Sequence, residues 1–417
     1  MRTNLLPAIL LAGAPNCGKS VLSYLLTQEL RRRGVQHYLL RTAPDGEGDW
    51  FLEGASEGVR ILRMENKGTY TPDLIVHMRQ AIHDRRLPLL VDIGGKPQGD
   101  QFDILGACTH YILLYKTGEE LQTWLADMAR LDLLPVAELR SSLTEEETAM
   151  QTPEGLQGII SGLVRESPQP GATFGALLTQ VIGICDYDLY QLEQDHVKDA
   201  PFPVVLEREL AVKVQAAPKL PTPWWEPGDL PKVRDVVQPG QALALYGRGP
   251  VWLAAALAVH ALPAPCAVFD ARYAWLPIPE WAEGETKFLN VQIQPASTSE
   301  ADWVKVKITN QILEPQTKLF LPRLEGERAL LRERALPRER AAERAADRAA
   351  HRGVILSGKM PRWLYAALAR KLTLERPWIA VHVPSKDIAV VIFSRVEARQ
   401  VGDTLVVHHA PPVPKEP

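Results

Sequence analysis

The run Ala8-Ile-Leu-Leu-Ala-Gly13-Ala-Pro-Asn-Cys-Gly18-Lys19-Ser20 decides how this chain is read. An apolar strand leads into G-x-x-x-x-G-K-[ST], the spacing of a phosphate-binding loop. Gly13 permits the turn out of the strand, and Gly18 lets backbone N–H groups of Asn16, Cys17 and Gly18 close around a phosphate. Lys19 would reach the β/γ oxygens, and Ser20 would hold Mg²⁺. Val21, Leu22, Leu25, Leu26 and Leu30 recur at helical spacing over 19–33, so a helix aims its positive end at the phosphates. ATP with Mg²⁺ is the expected ligand, held by Gly13, Asn16, Cys17, Gly18, Lys19 and Ser20.

Working outward, strands are expected near Ala8–Ala12, Gln36–Leu40, Leu89–Ile93 and Tyr111–Tyr115, with helices between them. That alternation is the signature of a parallel α/β sheet flanked by helices. The segments 155–164 and 174–184 read as two further helices. Leu89-Leu-Val-Asp92-Ile-Gly-Gly95 has the form of an apolar strand ending in an acid, with Asp92 as second metal ligand beside Ser20. The plainer role for Asp92 is to cap the next turn. Gly94-Gly95 leaves room for a γ-phosphate. Arg41-Thr-Ala-Pro-Asp45-Gly-Glu47-Gly-Asp49-Trp50 makes a tight acidic loop. Asp45 or Glu47 is a candidate base beside the catalytic candidates Lys19 and Asp92, with Arg41 bracing phosphate. Arg63, Lys67 and Lys96 are further candidate cations.

Bulk properties constrain the rest. With 417 residues, 46% hydrophobic and 23% charged, the chain has room for two or three globular domains. A formal net charge of −3 gives no reason to expect long nucleic acid as a partner, while a short anionic nucleotide needs only a local basic pocket. Cys17, Cys108, Cys185 and Cys266 lack metal-ligand spacing and read as reduced cytoplasmic thiols. The apolar run 5–12 continues into the loop and is not read as a secretory signal. The longest later apolar run, 251–262, is too short for a membrane span.

The second half contains an internal repeat. Gly247-Arg248-Gly-Pro-Val-Trp252-Leu-Ala-Ala-Ala-Leu-Ala258 matches Gly358-Lys359-Met-Pro-Arg-Trp363-Leu-Tyr-Ala-Ala-Leu-Ala369, and the two begin 111 residues apart. Each copy sits between strands, expected at Ala242–Tyr246 and Ala267–Phe269, then Val354–Ser357 and Ile379–Val381. The expected organisation is a phosphate-loop domain over 1–195 and a Pro-rich junction with the start of the first module over 196–240. The first module core follows over 241–297. The second module spans 298–417 and carries an Arg/Ala/Glu-rich helical insertion at about 325–352. The insertion, with Arg340, Arg344 and Arg348 beside Glu339, Glu343 and Asp347, reads as a solvated helix. In the junction, Trp224 and Trp225 are expected to pack. Each glycine turn opens a helix beside Arg248 or Lys359, a generic phosphate seat, and two pseudo-twofold seats would suit a symmetric anionic ring. Trp252 and Trp363 read as core.

The strings Tyr246-Gly-Arg-Gly-Pro-Val-Trp-Leu and Ala267-Val-Phe-Asp270-Ala-Arg272, with Ser357-Gly358-Lys359-Met-Pro-Arg-Trp-Leu in the second copy, resemble the Csx-three ring nucleases of type III CRISPR systems. The first half resembles the phosphate-loop ATPase domain fused to that family, in Arg41–Trp50, Leu89–Gly95 and Cys108-Thr-His-Tyr-Ile-Leu-Leu114. The resemblance implies a cytoplasmic protein that binds cyclic oligoadenylate, with cleavage and its Mn²⁺ left open, and a homo-oligomer as an option. Gly247, Arg248, Asp270, Arg272, Ser357, Gly358 and Lys359 would carry that ligand. The family's Asp-x-Arg is present as Asp270 and Arg272 but is replaced by Val383 and Ser385 in the second copy. Its histidines are replaced by Pro263 and Trp281, and by Glu375 and Arg395. His260 stands near the first of these as a substitute or as a packed helix residue. Binding is therefore expected over cleavage. Two rival readings are a nucleotide or small-molecule kinase whose repeats form a platform, and a non-enzymatic ATP-gated switch.

Overall fold

The computed structural model describes residues 6–42, 70–164, 171–216, 225–283, 289–295, 301–308, 318–321, 352–358 and 360–407. Asp45, Glu47, Arg63, Lys67, Trp224, Lys359 and the Arg-rich segment to residue 351 lie outside them.

The chain is α/β, and its first half is one seven-stranded sheet. Strands β1 (Ala8–Gly13), β2 (Tyr38–Arg41), β3 (Leu89–Asp92), β4 (His110–Tyr115), β5 (Leu134–Ser141), β6 (Thr148–Thr152) and β7 (Gly155–Ile160) line up in the order β2-β3-β1-β4-β5-β7-β6. All pairs are parallel except the edge pair β6–β7. Helices α1 (Lys19–Arg32), α2 (Pro72–His83), α3 (Phe102–Gly106), α4 (Gly118–Arg130) and α5 (Ala172–Ile184) cover its two faces. The strands alternate accordingly. Ile9 and Leu11 point into the core shared with Leu22, Leu26 and Leu30 of α1 and Leu177 of α5. Ala8, Leu10 and Ala12 point into the opposite core with Met78, Ile104 and Trp124.

The expected helix over 155–164 is instead strand β7, preceded by β5 and β6. Gly158 explains the difference. It has φ of +151°, and a Cβ added there would stand 1.8 Å from the Thr148 carbonyl oxygen. A helix needs negative φ at every position, whereas this hairpin needs a residue with no side chain. The neighbouring segment behaves as expected, with Phe174 inside α5.

After α6 (Leu189–Lys198) the repeat is written in topology. In the first copy β8 (Val204–Leu206), β9 (Leu243–Tyr246), β10 (Cys266–Asp270) and β11 (Ala274–Pro277) form a four-stranded sheet, parallel, parallel, then antiparallel. In the second copy β14 (Ala301–Ile308), β16 (Gly353–Gly358), β17 (Trp378–Val383) and β18 (Ile388–Ser394) repeat that pattern. A short strand β12 (Glu280–Glu283) pairs separately with β15 (Lys318–Leu321). The second sheet gains β13 (Leu289–Pro295) and β19 (Thr404–Val406) at its edges. Residues 289–295 thus hydrogen-bond into the second sheet, although the sequence groups them with the first module. Leu243 pairs with Cys266 and Val354 with Ile379, so the register superposes the two copies strand by strand.

Helices α7 (Glu207–Val214) and α8 (Leu230–Val236) lead into α9 (Val251–His260) of the first copy, matched by α10 (Arg362–Leu372) of the second. Every residue of α9 from Trp252 to Val259 is buried, as expected of a helix enclosed on all sides. It packs on α10 within one core shared by both sheets, and Arg370 Nη1 donates to the Ala258 carbonyl at 2.8 Å. Trp252 and Trp363 are core residues, as is Trp225.

Candidate functional site

The glycine loop joins β1 to α1 at the carboxyl ends of the sheet. β1 and β4 are neighbours whose connections leave in opposite directions, β1 towards β2 and β4 towards β5. Such a divergence opens the crevice where α/β sheets receive ligands. Lys19 is 5% exposed, and its ammonium donates to the Gly13 and Ala14 carbonyls at 2.8 and 2.7 Å, at the centre of the loop. The Cys17 thiol lies beneath it and donates to Ala14 O. Burial pushes the thiol pKa up, opposed by the Lys19 charge. Gly18 sits against Leu163, so the segment after β7 braces the loop from outside the motif.

The β1–β3 pairing carries Asp92 to the loop. Its Oδ2 lies 3.5 Å from Ser20 Oγ and 3.2 Å from Arg41 Nη1, and its Oδ1 accepts the Gly94 N–H at 3.0 Å. Asp92 therefore caps the following turn with one oxygen and faces the loop hydroxyl with the other. Gly94 N–H is committed to that cap, while a side chain added at Gly95 would meet only open space. Lys96 is exposed. The fold brings Ser20 to Asp92 and sets Lys19 within the same glycine loop. Hydroxyl and carboxylate oxygens are the donor set a hard cation such as Mg²⁺ prefers, so these residues fit the ion. Among the described residues no cluster of three or more His, Cys, Asp or Glu is placed to hold a metal. All four cysteines are buried thiols outside any disulfide.

The two glycine turns of the repeat differ. Gly247 and Gly358 share φ of +150° and +152°, and both helices start at a proline, Pro250 and Pro361. In the first copy the turn is filled by the chain's own carboxylate. Glu207, 2% exposed at the start of α7, accepts the Gly249 N–H and pairs with Arg362 from the start of α10. Arg362 also donates to the Gly247 carbonyl at 2.6 Å. Glu207 therefore fills the first seat, so the two turns are not equivalent in this structure. Sequence reasoning missed Glu207 because it lies 40 residues upstream of Gly247, joined to it only through the β8–β9 pairing.

Arg248 and Arg272 face the first half of the molecule, and Asp270 pairs with Arg272. Arg272 clasps Asp270 through both oxygens at 3.0 Å and lies over the Tyr38 ring, 5.8 Å from its centre. Burial pushes the Asp270 carboxyl up, but the charge and hydrogen bonds of Arg272 override it and hold it below the usual range. Arg248 acts on His37, whose imidazole is driven well below its ordinary value by burial and then by that guanidinium. Around them the Arg86 N–H donates to Ala271 O at 2.9 Å and Tyr273 Oη meets His77 Nε2 at 2.9 Å. His196 of α6 covers Tyr246 and Phe269, and Trp275 donates to the His196 carbonyl at 2.7 Å. This copy is mounted on the amino-terminal edge of the first sheet, opposite the glycine loop.

The register places Ser357 and His382 of the second copy where the first has Tyr246 and Phe269. Ser357 Oγ lies 2.9 Å from His382 Nδ1, both are buried, and the Trp303 ring stands edge-on to the imidazole at 5.1 Å. Gly358 packs on β14, where an added Cβ would stand 2.2 Å from Val306 O. His260, the candidate stand-in histidine, is held at the end of α9 by Val237 O at 2.7 Å and does not join either turn.

Fold and site define an α/β chain in which a parallel sheet bearing a glycine loop is joined to a tandem α/β pair. Residues 346–406, within the second copy of that pair, match the family model described as CRISPR-associated protein (Cas_csx3). No curated protein matches the chain. Among the described residues no helix is long and apolar enough to cross a membrane.

Proposed function

We propose that this is a CRISPR-associated nucleotide-sensing protein. Its second repeat binds a short cyclic oligoadenylate, and its first half binds ATP with Mg²⁺. The observation that carries the reading is the family match of the second copy, which retains the Ser357-Gly358 turn and pairs Ser357 with His382. The first copy supports one binding face rather than two, because Glu207 fills its turn and the first half covers its sheet.

In the first half, Lys19 would bind the β/γ phosphates, Ser20 and Asp92 would hold Mg²⁺, and the start of α1 would face the negative charge. The ion would supply neutralisation of charge on the phosphates. Asp45 and Glu47 remain the candidates for orienting a water or acceptor. Loss of Asp-x-Arg from the second copy, as Val383 and Ser385, favours binding over cleavage.

Labelled cyclic oligoadenylates incubated with the protein, with and without ATP and Mg²⁺ or Mn²⁺, test the reading when both nucleotides are resolved. The expected result is saturable binding near one ring per chain, with Ser357→Ala weakening it and ATP unaffected. No measurable oligoadenylate binding overturns it.

A further inference from the structure

Asp92 is 1% exposed, and a carboxylate that deep keeps its charge only with a positive partner or strong donors. Its two oxygens are used differently. Oδ1 takes the Gly94 N–H, whereas Oδ2 is shared between Ser20 Oγ at 3.5 Å and Arg41 Nη1 at 3.2 Å. Oδ2 is therefore both the oxygen that faces the loop hydroxyl and the oxygen on which a guanidinium rests.

We infer that Arg41 is the built-in counter-cation of the metal-facing carboxylate and passes to the phosphate oxygens when a nucleoside triphosphate enters with its divalent cation. The inference rests on the reading of the first half as a triphosphate site. Sheet register fixes the arrangement, since the β2–β3 pairing sets Arg41 directly against Asp92. The next residue continues the ladder, with Thr42 N–H donating to Asp92 O at 3.0 Å. The Arg41 backbone is thereby anchored, and the exchange is a swing of the side chain. A guanidinium and a dication on one oxygen repel each other, so full engagement of one displaces the other. The incoming triphosphate is the stronger anion and offers paired oxygens that match the guanidinium fork. Arg41 is thus a positioning residue for Asp92 before the nucleotide arrives and a phosphate ligand afterwards.

Two binding titrations test this without reference to turnover: Mn²⁺ on the nucleotide-free protein, followed by its paramagnetic signal, and ATP in the presence of EDTA. Arg41→Gln is expected to bind Mn²⁺ about tenfold more tightly than wild type, because Oδ2 is released, and ATP about tenfold more weakly. Opposite movement of the two affinities is the signature; a merely structural role moves both down together. If Arg41→Gln does not fold, Arg41→Lys decides, since it keeps a charge for Asp92 and loses the paired donors. It is expected to leave Mn²⁺ affinity near wild type and still weaken ATP. Both affinities unchanged, or both reduced, overturns the role of Arg41 while leaving the triphosphate reading intact. Failure of wild type to bind any nucleoside triphosphate overturns that underlying reading instead.

Discussion

The Glu207 carboxylate and the Arg362 guanidinium form an ion pair that joins the two copies of the repeat, one partner at the start of α7 and the other at the start of α10. The same carboxylate fills the glycine turn of the first copy, and Gly247 and Gly249 have no side chains because Glu207 occupies that space. One residue thus closes a seat and fastens the halves of the pair.

Breaking this pair from either side strands a buried charge, which destabilises by about 3–5 kcal/mol. Glu207→Ala and Arg362→Ala should each lower the denaturant midpoint, and the double variant should lose less than the sum. A coupling of about 1–3 kcal/mol from the double-mutant cycle is expected. Additive losses would show that the two residues act separately.

Gly358 offers a steric test of the second turn. With φ of +152° and the Val306 carbonyl oxygen 2.2 Å from any added Cβ, Gly358→Ala cannot be accommodated without parting β14 from β16. A destabilisation above about 2 kcal/mol is expected. Gly95→Ala, in open space by the same construction, should stay within about 1 kcal/mol of wild type. Equal behaviour of the two variants in thermal unfolding would contradict the packing described.

Lys19→Ala removes the ammonium at the centre of the glycine loop. ATP affinity should fall by roughly tenfold to a hundredfold, the loss of one charge-assisted interaction. Oligoadenylate binding by the second copy in the absence of ATP should be unaltered. Calorimetric titration with each ligand separates the two halves, and unchanged ATP affinity would remove Lys19 from the site.

The first half was legible because its signals are local. The loop motif, the periodic helix after it and the acid at the end of β3 each declare themselves within a dozen residues, and sheet register then brings Ser20 to Asp92. The strand 155–160 was misread because its glycines serve a close backbone approach to a partner strand, which apolar spacing alone does not reveal. The repeat was visible as a string, and its register confirms the match of Leu243 with Val354. The filling of its first turn was not visible. Glu207 reaches the first turn through pairing of distant segments, and Arg248 and Arg272 are drawn towards His37 and Tyr38, residues nothing in the repeat announces.

That contact with the first half yields a pH signature. His37 is buried, with Nδ1 2.8 Å from the Val35 carbonyl, and burial together with the Arg248 charge drives its pKa well below the ordinary imidazole value. The unfolded chain then binds a proton that the folded chain refuses, so stability is full above about pH 6.5 and falls as pH drops below it. The slope from this residue approaches about 1.4 kcal/mol per pH unit until the folded pKa is reached. Arg248→Ala removes the second cause, so His37 should titrate at higher pH and the acid-side loss of stability should shrink. Imidazole chemical shifts followed from pH 8 to pH 4 in both proteins read this directly. A His37 titration unmoved by Arg248→Ala would mean that the first copy does not lie against the amino-terminal edge of the sheet as described, because only that docking brings the guanidinium to the ring.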